Sequence, residues 1–517
     1  AGGDRSDGKE IVSAVWVKVR AGHSATSGGT SALAPILAPI LAPILALALS
    51  GCAALDPGGR RAELPAVPTA APRTTGGDTP QASEHKRLVA LFGGEYRFAA
   101  AEIYLNGILV RLAQSSETPS EAYRVTILNT PLVNAFALPS GNLYVTRGLL
   151  ALANDSSEIA AVMAHEIAHV TTRHASARAE LEKNAAVISK AASLIQGTQK
   201  SNEVKASGKL SLASFSRQQE LEADQIGVRA IARAGYDPYG AARFLTSLGR
   251  ASSLRASLFG QKSGDEQPDI LATHPSTPER IRQAVAAARQ LGAPGLGLGA
   301  RDEYFNAIDG MDFGDDPSEG FIRGRRFIHP KLGFTFTSPE GFVLENTAQA
   351  LLGIANGGAQ ALRLDSVNVS PAQDLNTYLA SGWMEGLDPN SVRTVSLNGI
   401  PAAVGTAKGG DWQFRVAVIR YSGEVYRLIF ATRNLSSAID ARFMEAIESF
   451  RKIESEEAMR TKPLRLKIVT AAAGDTPSML ARRMAVGEQQ VEQFLLLNGL
   501  ETGTALRPEE RYKIVVE

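Results

Sequence analysis

Two histidines and a glutamate form a pattern with metal-binding chemistry in the segment AHEIAHVTTRH, residues 164–174. His165, Glu166 and His169 spell H-E-x-x-H. On a helix, histidines four residues apart lie one turn from each other, so both imidazoles can bind a single Zn²⁺. The glutamate then faces the open side of the metal, where it can take a proton from zinc-bound water and pass it to a leaving amine. A surface helix that carries these residues by chance is the alternative, but apolar neighbours predict a buried helix, where unpaired His and Glu would be costly.

A catalytic zinc needs a third protein ligand, and the sequence offers two sources for it. His174 follows on the same predicted helix, but it lies about 140° around a regular helix from His169, so we expect a partly exposed residue outside the site. A second predicted helix carries Glu220 and Asp224 on one face, whereas Glu222 points elsewhere. Glu220 would complete a site of two histidines and one glutamate, and Asp224 could accept a ring N–H from a ligating histidine. Taken alone, these acidic residues would indicate a solvated helix face.

Four sequence motifs resemble the family of HExxH zinc metallopeptidases that contains the CAAX prenyl proteases and HtpX, and more closely its soluble periplasmic bacterial branch. In chain order they are NAFALPSGNLYVTRGLL, HEIAHVTTRH, SRQQELEAD and AGYDP, within about residues 85–290. The resemblance implies one Zn²⁺ per chain, bound by His165, His169 and Glu220. It also implies that Glu166 is the general base and Asp224 a supporting catalytic carboxylate. The segment GNLYVTR would be an edge strand that pairs with the backbone of an unfolded substrate.

A further segment, LATHPSTPERI at residues 271–281, is similar to a T-H-P…R segment that this family has near the metal. His274 is therefore a third candidate catalytic residue. It either stabilises the oxyanion of the reaction or, if it binds zinc, closes the site. Arg280 either assists the oxyanion or pairs with a carboxylate. A structural loop histidine is the alternative for His274, and a structural role is the stronger expectation for His329.

The N-terminal region has the layout of a secretory signal, with basic residues before an uncharged apolar stretch at 31–50 and small residues after it. Leu49-Ser50-Gly51-Cys52 resembles the bacterial lipobox, which implies cleavage before Cys52 and a lipid anchor on it. A transmembrane helix is the alternative, but three prolines within the stretch weaken it. Because no aspartate follows the cysteine, we expect a lipoprotein on the periplasmic side of the outer membrane.

Length and composition predict a multidomain α+β protein. The length of 517 residues predicts two to four domains. The net charge of +1 and the lack of a basic run predict that the protein has no nucleic-acid partner. Helices are predicted over 156–195 and 212–234, and a hairpin over 412–432. The predicted organisation is a signal peptide at 1–51, a flexible linker at 52–84, a mainly helical, gluzincin-like zinc-peptidase domain with a small edge sheet at 85–292, an irregular linker at 293–323, an α+β accessory domain at 324–455 and a LysM-like strand-helix-helix-strand module at 464–517.

The last segment resembles a LysM module through Gly474-Asp475-Thr476 after a predicted strand and Asn498-Gly499-Leu500 after a helix. Such modules often bind the glycan of peptidoglycan, which makes the cell wall a candidate partner. A structural or protein-contact role is nearly as strong an alternative, because residues 464–517 offer no obvious aromatic platform for a glycan.

These features together predict a zinc-dependent endopeptidase that is anchored to the membrane through Cys52. Its expected substrates are polypeptides, namely misfolded or misassembled envelope proteins. Two alternatives stay open at this point. One is a scaffold or chaperone that grips partners and rarely cuts, and the other is a cell-wall-tethering protein whose C-terminal module matters most.

Overall fold

The computed structural model describes residues 79–115, 123–174, 216–258, 274, 277–316, 318–346, 350–460, 462–487 and 489–517. The predicted signal peptide, Cys52 and nearly all of the predicted linker at 52–84 lie outside the described residues. None of the described helices combines the length and the apolar composition that crossing a bilayer requires.

Helices form most of the first folded part, which we call the helical domain. Up to residue 289 its elements are α1 Pro80–Leu91, α2 Ala99–Gln114, β1 Arg124–Leu128, β2 Ala135–Ala137, β3 Asn142–Thr146, α3 Arg147–Leu152, α4 Ser156–Thr171, α5 Arg217–Arg233, α6 Gly240–Leu258 and α7 Pro278–Arg289. Helix α4 is buried from its first residue through His169 and packs against α5 and α6. The helix predicted over 156–195 therefore begins where expected. Helix α4 ends at Thr171, and residues 175–195 of the predicted helix lie outside the described residues. The H-E-x-x-H motif lies within the core of the domain.

The small sheet of this domain has the strand order β1-β3-β2. Strand β3 pairs in parallel with β1 and antiparallel with β2, so it is the central strand. The prediction that GNLYVTR is an edge strand is therefore wrong, because alternating residues show that a segment is a strand but not how many partners it has. On the side of β1 that faces away from β3, the backbone of Leu128 forms an isolated antiparallel β-bridge with Glu95. Within the described residues, β2 provides the open edge.

The segment 293–323, predicted to be an irregular linker, contains regular structure. Helix α8 is Arg301–Ile308, strand β4 is Asp312–Phe313 and strand β5 is Phe321–Arg323. Tyr304 and Phe305 of α8 are fully buried in the same core as α2 to α4. The Tyr304 hydroxyl donates to the Leu150 carbonyl at 2.5 Å. Glycines on both sides conceal this short helix in the sequence, although it completes the core of the helical domain.

A β-rich domain follows. Its elements are β6 Arg326–His329, β7 Phe334–Thr337, β8 Val343–Asn346, β9 Leu351–Ala355, β10 Gln360–Val367, α9 Leu375–Leu379, β11 Arg393–Leu397, β12 Ile400–Gly409, β13 Trp412–Tyr421, β14 Glu424–Thr432, α10 Ser437–Glu448, β15 Arg451–Lys452 and α11 Ser455–Arg460, with short 3₁₀ turns at Asn356–Gly358 and Pro389–Ser391. The main sheet is antiparallel, in the order β11-β12-β13-β14-β10-β9-β8, and a second sheet has the order β15-β7-β6-β5. The predicted hairpin is present, because β13 and β14 join at Ser422 and Gly423, both with positive φ, as a two-residue turn requires. The multidomain α+β prediction is thereby confirmed.

The C-terminal module packs into the helical domain instead of standing apart. Its elements are β16 Leu464–Thr470, α12 Pro477–Ala481, α13 Gln490–Leu497 and β17 Arg511–Val516, in the predicted order strand, helix, helix, strand. Strand β16 pairs with β4 as well as with β17. Phe494 and Tyr512 belong to the same buried cluster as the core of α2 to α4. The module and the helical domain therefore share one hydrophobic core.

Candidate metal centre

Three helices present the residues that the sequence predicts for the site. Helix α4 carries His165, Glu166 and His169, α5 carries Glu220 and Asp224, α7 carries Arg280, and His274 precedes α7. Side chains cap the start of each helix: Asp155 for α4, Ser216 for α5 and Thr277 for α7. Helices α4 and α5 come close because Gly227 has no side chain, since a Cβ there would lie 3.3 Å from the backbone N of His165. This contact brings the two halves of the site together.

Four buried side chains, those of His165, His169, Glu220 and His274, converge on one point. His165 Nε2 lies 3.0 Å from His169 Nε2 and 3.3 Å from His274 Nδ1. Glu220 Oε1 lies 2.8 Å from His274 Nδ1 and 3.4 Å from His169 Nε2. Nitrogen and oxygen ligands of a tetrahedral zinc, each about 2.1 Å from the ion, are about 3.4 Å from one another. The donor atoms therefore fit a zinc ion in both type and spacing.

A guanidinium group and a carboxylate support these donors from behind. Arg280 Nε and Nη2 each lie 2.7 Å from an oxygen of Asp224, and Arg280 Nη1 lies 2.7 Å from Glu220 Oε2. Asp224 Oδ1 is also 3.0 Å from His165 Nδ1, which leaves Nε2 of that ring for the cluster. Asp224 thus lies behind a candidate ligand, where the sequence places it. Arg280 therefore pairs with carboxylates, which is one of the two alternatives predicted for it; the other is assistance to the oxyanion.

Glu166 and His274 face each other at the side of the cluster. Glu166 Oε1 lies 3.8 Å from His274 Nε2, while Nδ1 of the same ring belongs to the donor set. Both side chains are buried. Of the two roles predicted for His274, binding at the metal is the one that this position favours, because the ring reaches the centre of the cluster with a nitrogen atom.

Burial and mutual contacts shift the pKa of the site groups. Burial acts to lower the pKa of His165, but the carboxylates of Asp224 and Glu220 outweigh it and raise that pKa to about 9. Burial lowers the pKa of His169 to about 3. Burial opposes ionisation of Glu220, yet its contacts with the three histidines hold its pKa well below the ordinary value. Burial raises the pKa of Glu166. An ionised Glu220 and a neutral His169 are the protonation states in which these groups bind a metal.

His174 is buried, which contradicts the expectation of a partly exposed residue, but it is not among the four side chains of the donor set. Its Nδ1 lies 2.9 Å from His169 Nδ1, and its Nε2 lies 3.6 Å from Glu222 Oε2. The regular helix has ended by this point and Arg173 has a φ of 56°, so the chain turns back toward the cluster. The angular spacing of a regular helix therefore does not apply. His174 supports His169 from behind, and sequence reasoning missed it because arginine rarely has positive φ.

An apolar pocket opens beside the cluster and has a cavity volume of about 40 Å³. Five polar residues of the site line one side of it, namely His165, Glu166, Asp224, His274 and Arg280. Apolar side chains of α4 and α6 line the other side, and these are Ala161, Val162, Ala241, Phe244, Leu245 and Leu248. Sequence reasoning did not single out the α6 residues. Their spacing of three and four residues along one helix face was the available signal. Apolar walls exclude water, which strengthens electrostatic interactions inside the site.

Two histidines and a glutamate around one point, with a second glutamate beside them in an apolar pocket, are typical of zinc-dependent hydrolases. Comparison with known proteins gives a family match for part of the chain. Residues 99–288 match the sequence profile of Peptidase family M48. This match agrees with the family that the motifs resemble.

Two groups of known proteins are similar to part of this chain. The beta-barrel assembly-enhancing protease of Escherichia coli O157:H7 is 30% identical over 198 residues, which are 36% of this chain and 39% of the relative. The mitochondrial metalloendopeptidase OMA1 of Arabidopsis thaliana is 33% identical over 170 residues, which are 33% of this chain and 32% of the relative. A crystal structure from Bacteroides thetaiotaomicron matches with 14% identity and a TM-score of 0.21 over 31% of this chain and 57% of that one, too little to support an argument. The chain spans about two fifths of the length of the first curated relatives.

Proposed function

We propose that this chain is a zinc metalloendopeptidase that hydrolyses peptide bonds in misfolded or misassembled envelope proteins. The observation that carries the proposal is the buried set of His165, His169 and Glu220 with Glu166 beside it. A gluzincin-like centre, in which a glutamate from a second helix is the third ligand, fits these positions. The names of the similar proteins, a protease and a metalloendopeptidase, support the same reaction class.

Each residue of the site has a distinct task in this proposal. A zinc ion held by the three ligands supplies Lewis-acid chemistry, which polarises a peptide carbonyl and acidifies water. Glu166 accepts a proton from the attacking water and donates it to the leaving amine, and its raised pKa suits both transfers. Asp224 fixes the ring of His165 through Nδ1. Arg280 holds the carboxylates of Asp224 and Glu220 in place.

The open edge of β2 offers a binding surface for an extended substrate. Strand β2 packs against α4, so this edge lies beside the helix that carries the H-E-x-x-H motif. The Asn134 carbonyl and the Leu138 N–H are bonded to β3. Because hydrogen-bonding directions alternate along a strand, the backbone groups of Ala135 and Ala137 point to the open side. An unfolded polypeptide can add here as a further strand, and pairing through the backbone would make binding tolerant of sequence.

His274 makes this arrangement a latent one. A catalytic zinc keeps one position open for water, whereas His274 Nδ1 lies within the donor set. We therefore propose that His274 must move away from the cluster before a substrate is cut. The same contact supports the second candidate function, a scaffold or chaperone that grips unfolded partners and rarely cuts them.

Substitution of the general base tests the proposed reaction. In Glu166→Gln, we expect zinc content and circular dichroism like those of the unchanged chain, and casein cleavage reduced at least about 100-fold, the usual contribution of a general base. Glu102→Gln on α2, outside the site, is the matched control and should cleave normally. Undiminished casein cleavage by Glu166→Gln would refute the mechanism.

A second substitution separates the two roles of His274. Faster casein cleavage by His274→Ala than by the unchanged chain would support the latent arrangement. Slower cleavage at equal zinc content would support a role at the oxyanion. If the unchanged chain and the His274→Ala variant both bind unfolded casein and neither cuts it, the protein is better described as a scaffold.

We also propose that the chain is a lipoprotein on the periplasmic side of the outer membrane, attached through Cys52, and that residues 464–517 contact peptidoglycan as a LysM-like module. The lipobox resemblance supports the first point, and the order strand, helix, helix, strand supports the second. Palmitate labelling that is lost in Cys52→Ala tests the anchor. Because the module shares a core with the helical domain, sedimentation with peptidoglycan should be measured on the full chain and not on a truncated one.

A further inference from the structure

We propose that the pocket beside the metal centre selects a small apolar side chain next to the scissile bond, and that Leu248 sets the depth of this pocket. This inference rests on the proposed peptidase function. It identifies the kind of substrate residue that the site prefers and the side chain that determines the preference.

The size of the pocket limits what it can accept. Its volume is about 40 Å³, whereas a cavity that binds benzene measures about 150 Å³. The pocket therefore holds a side chain of about one to three carbons. The side chains of Val162, Phe244 and Leu245 make its wall apolar. Alanine and valine fit this space, whereas leucine and phenylalanine exceed it.

The position of the pocket places the accepted side chain close to the reaction. Glu166 and His274 line the same cavity as the apolar wall. A peptide whose carbonyl lies at the cluster would therefore direct a side chain flanking that carbonyl into the pocket.

Leu248 is the boundary between this pocket and a much larger cavity. The larger cavity, of about 380 Å³, lies where the helical domain, the β-rich domain and the C-terminal module meet, and Arg255, Leu344 and Leu496 are among its lining residues. Leu248 lines both cavities and is 4% exposed. Along α6, residues 241, 244, 245 and 248 face the metal pocket, and residues 248, 251, 252 and 255 face the larger cavity. One helix face thus serves both spaces, and the leucine separates them.

Shortening this side chain should join the two spaces. Leu248→Ala would extend the small pocket into the larger cavity and admit leucine or phenylalanine. Leu248→Phe would fill the pocket further and restrict it to glycine or alanine. Leu254→Ala is the matched control, because it makes the same truncation on the same helix but lines only the larger cavity.

Cleavage-site profiling of casein by mass spectrometry tests the inference with the zinc-loaded full chain. We expect alanine and valine to be enriched over leucine and phenylalanine at one fixed position flanking the cut bond. In Leu248→Ala this preference should shift toward leucine and phenylalanine at least tenfold, the lower end of what one methylene is worth in an apolar pocket. Leu254→Ala should keep the original profile. A flat profile, or the same profile in all three proteins, would overturn the inference while leaving peptidase activity established.

A binding measurement makes the inference testable without activity. Hydroxamates bind zinc through two oxygens, so hydroxamates that carry a methyl, an isobutyl or a benzyl group can be titrated by calorimetry into zinc-loaded His274→Gln and His274→Gln/Leu248→Ala chains. Glutamine keeps most of the volume of the His274 side chain, which lines the pocket. We expect the benzyl compound to bind at least tenfold more weakly than the methyl compound in the first chain and to gain at least tenfold in the second. This result without any casein cleavage would sustain the pocket and reject the peptidase. Equal rank orders in both chains, or no binding to either, would overturn the pocket.

Discussion

A buried lysine joins the C-terminal module to the helical domain directly in front of the metal-binding helix. Lys513 is 0% exposed, and its Nζ donates to the carbonyls of Ala151, Leu152 and Ala153 at 2.7, 3.4 and 2.6 Å. Three acceptors match the three donors of an ammonium group, and the carbonyl end of α3 favours a positive charge. Burial lowers the pKa of Lys513 well below its ordinary value, and the nearby carboxylate of Glu158 acts in the opposite direction.

Replacing the ammonium group should destabilise the helical domain by about 3 kcal/mol. Lys513→Met keeps the apolar stem but removes the donors, and each buried carbonyl left without a partner costs about 1–3 kcal/mol. Two of the three contacts are short, so we count about 1.5 kcal/mol for each and nothing for the contact with Leu152. For a domain of this size, the loss corresponds to a melting temperature lower by about 6–12 °C. The effect should extend to α4, whose cap Asp155 follows these carbonyls.

Hydrogen exchange read by mass spectrometry is the appropriate assay, because it reports the opening free energy of peptides that cover 147–171. We expect those peptides to lose about 3 kcal/mol of protection in Lys513→Met, while peptides of β11 to β14 stay unchanged. Lys467→Met is the control, since Lys467 lies on the neighbouring strand and is half exposed, with one ion pair to Asp309 at 3.3 Å. A difference below about 0.5 kcal/mol between Lys513→Met and the unchanged chain would refute the argument.

Two further predictions concern metal and pH. Zinc at a hundredfold excess over its dissociation constant should stabilise the helical domain by about 2.7 kcal/mol, and Glu220→Gln should lose most of this gain. A melting temperature that responds neither to zinc nor to a chelator would show that the cluster does not bind zinc. Burial lowers the pKa of His329 to about 4, so the ring is neutral and accepts a hydrogen bond from the Leu332 N–H. The stability gained from keeping this ring neutral is complete above pH 6.5 and is lost as the pH falls toward 4. Trp383 and Trp412 lie in the β-rich domain and report its unfolding in urea. His329→Asn keeps a hydrogen-bond acceptor but does not titrate, so the loss of unfolding free energy between pH 7 and pH 4 should be smaller by roughly 3 kcal/mol. An equal loss in both proteins would exclude His329 as the cause.

Short-range rules predict which candidate donors share a helix face, whereas the assignment of Glu220 and His274 to the site rests on the family resemblance. One helical turn brings His165 and His169 together, and the same spacing places Glu220 and Asp224 on one face of α5. The cap at Asp155 is equally local, because the Asp155 side chain accepts from the Glu158 N–H three residues later. Such features depend on residues within one turn, so no knowledge of the fold is needed to find them.

The features that sequence reasoning missed depend on contacts between distant parts of the chain or on an unusual backbone angle. The position of His174 is determined by the positive φ of Arg173, which no residue type in the segment indicates. The central place of β3 depends on two partner strands that the pattern of β3 itself does not specify. Lys513 reads as an ordinary strand lysine until the fold buries it against carbonyls some 360 residues earlier in the chain.

The charges at the metal centre show why this cluster requires a cation. Glu166, Glu220 and Asp224 are buried carboxylates, and Arg280 is the buried guanidinium that contacts two of them. With neutral histidines, these described residues therefore leave two negative charges in excess. Burying uncompensated charge is costly, and proteins respond by shifting pKa values. The raised pKa values of His165 and Glu166 favour two bound protons, which balance that excess. A divalent cation carries the same charge as two protons, and it would do so while leaving Glu166 ionised and able to act as a base. The composition of the cluster therefore favours a divalent metal for electrostatic reasons that are independent of its ligand geometry.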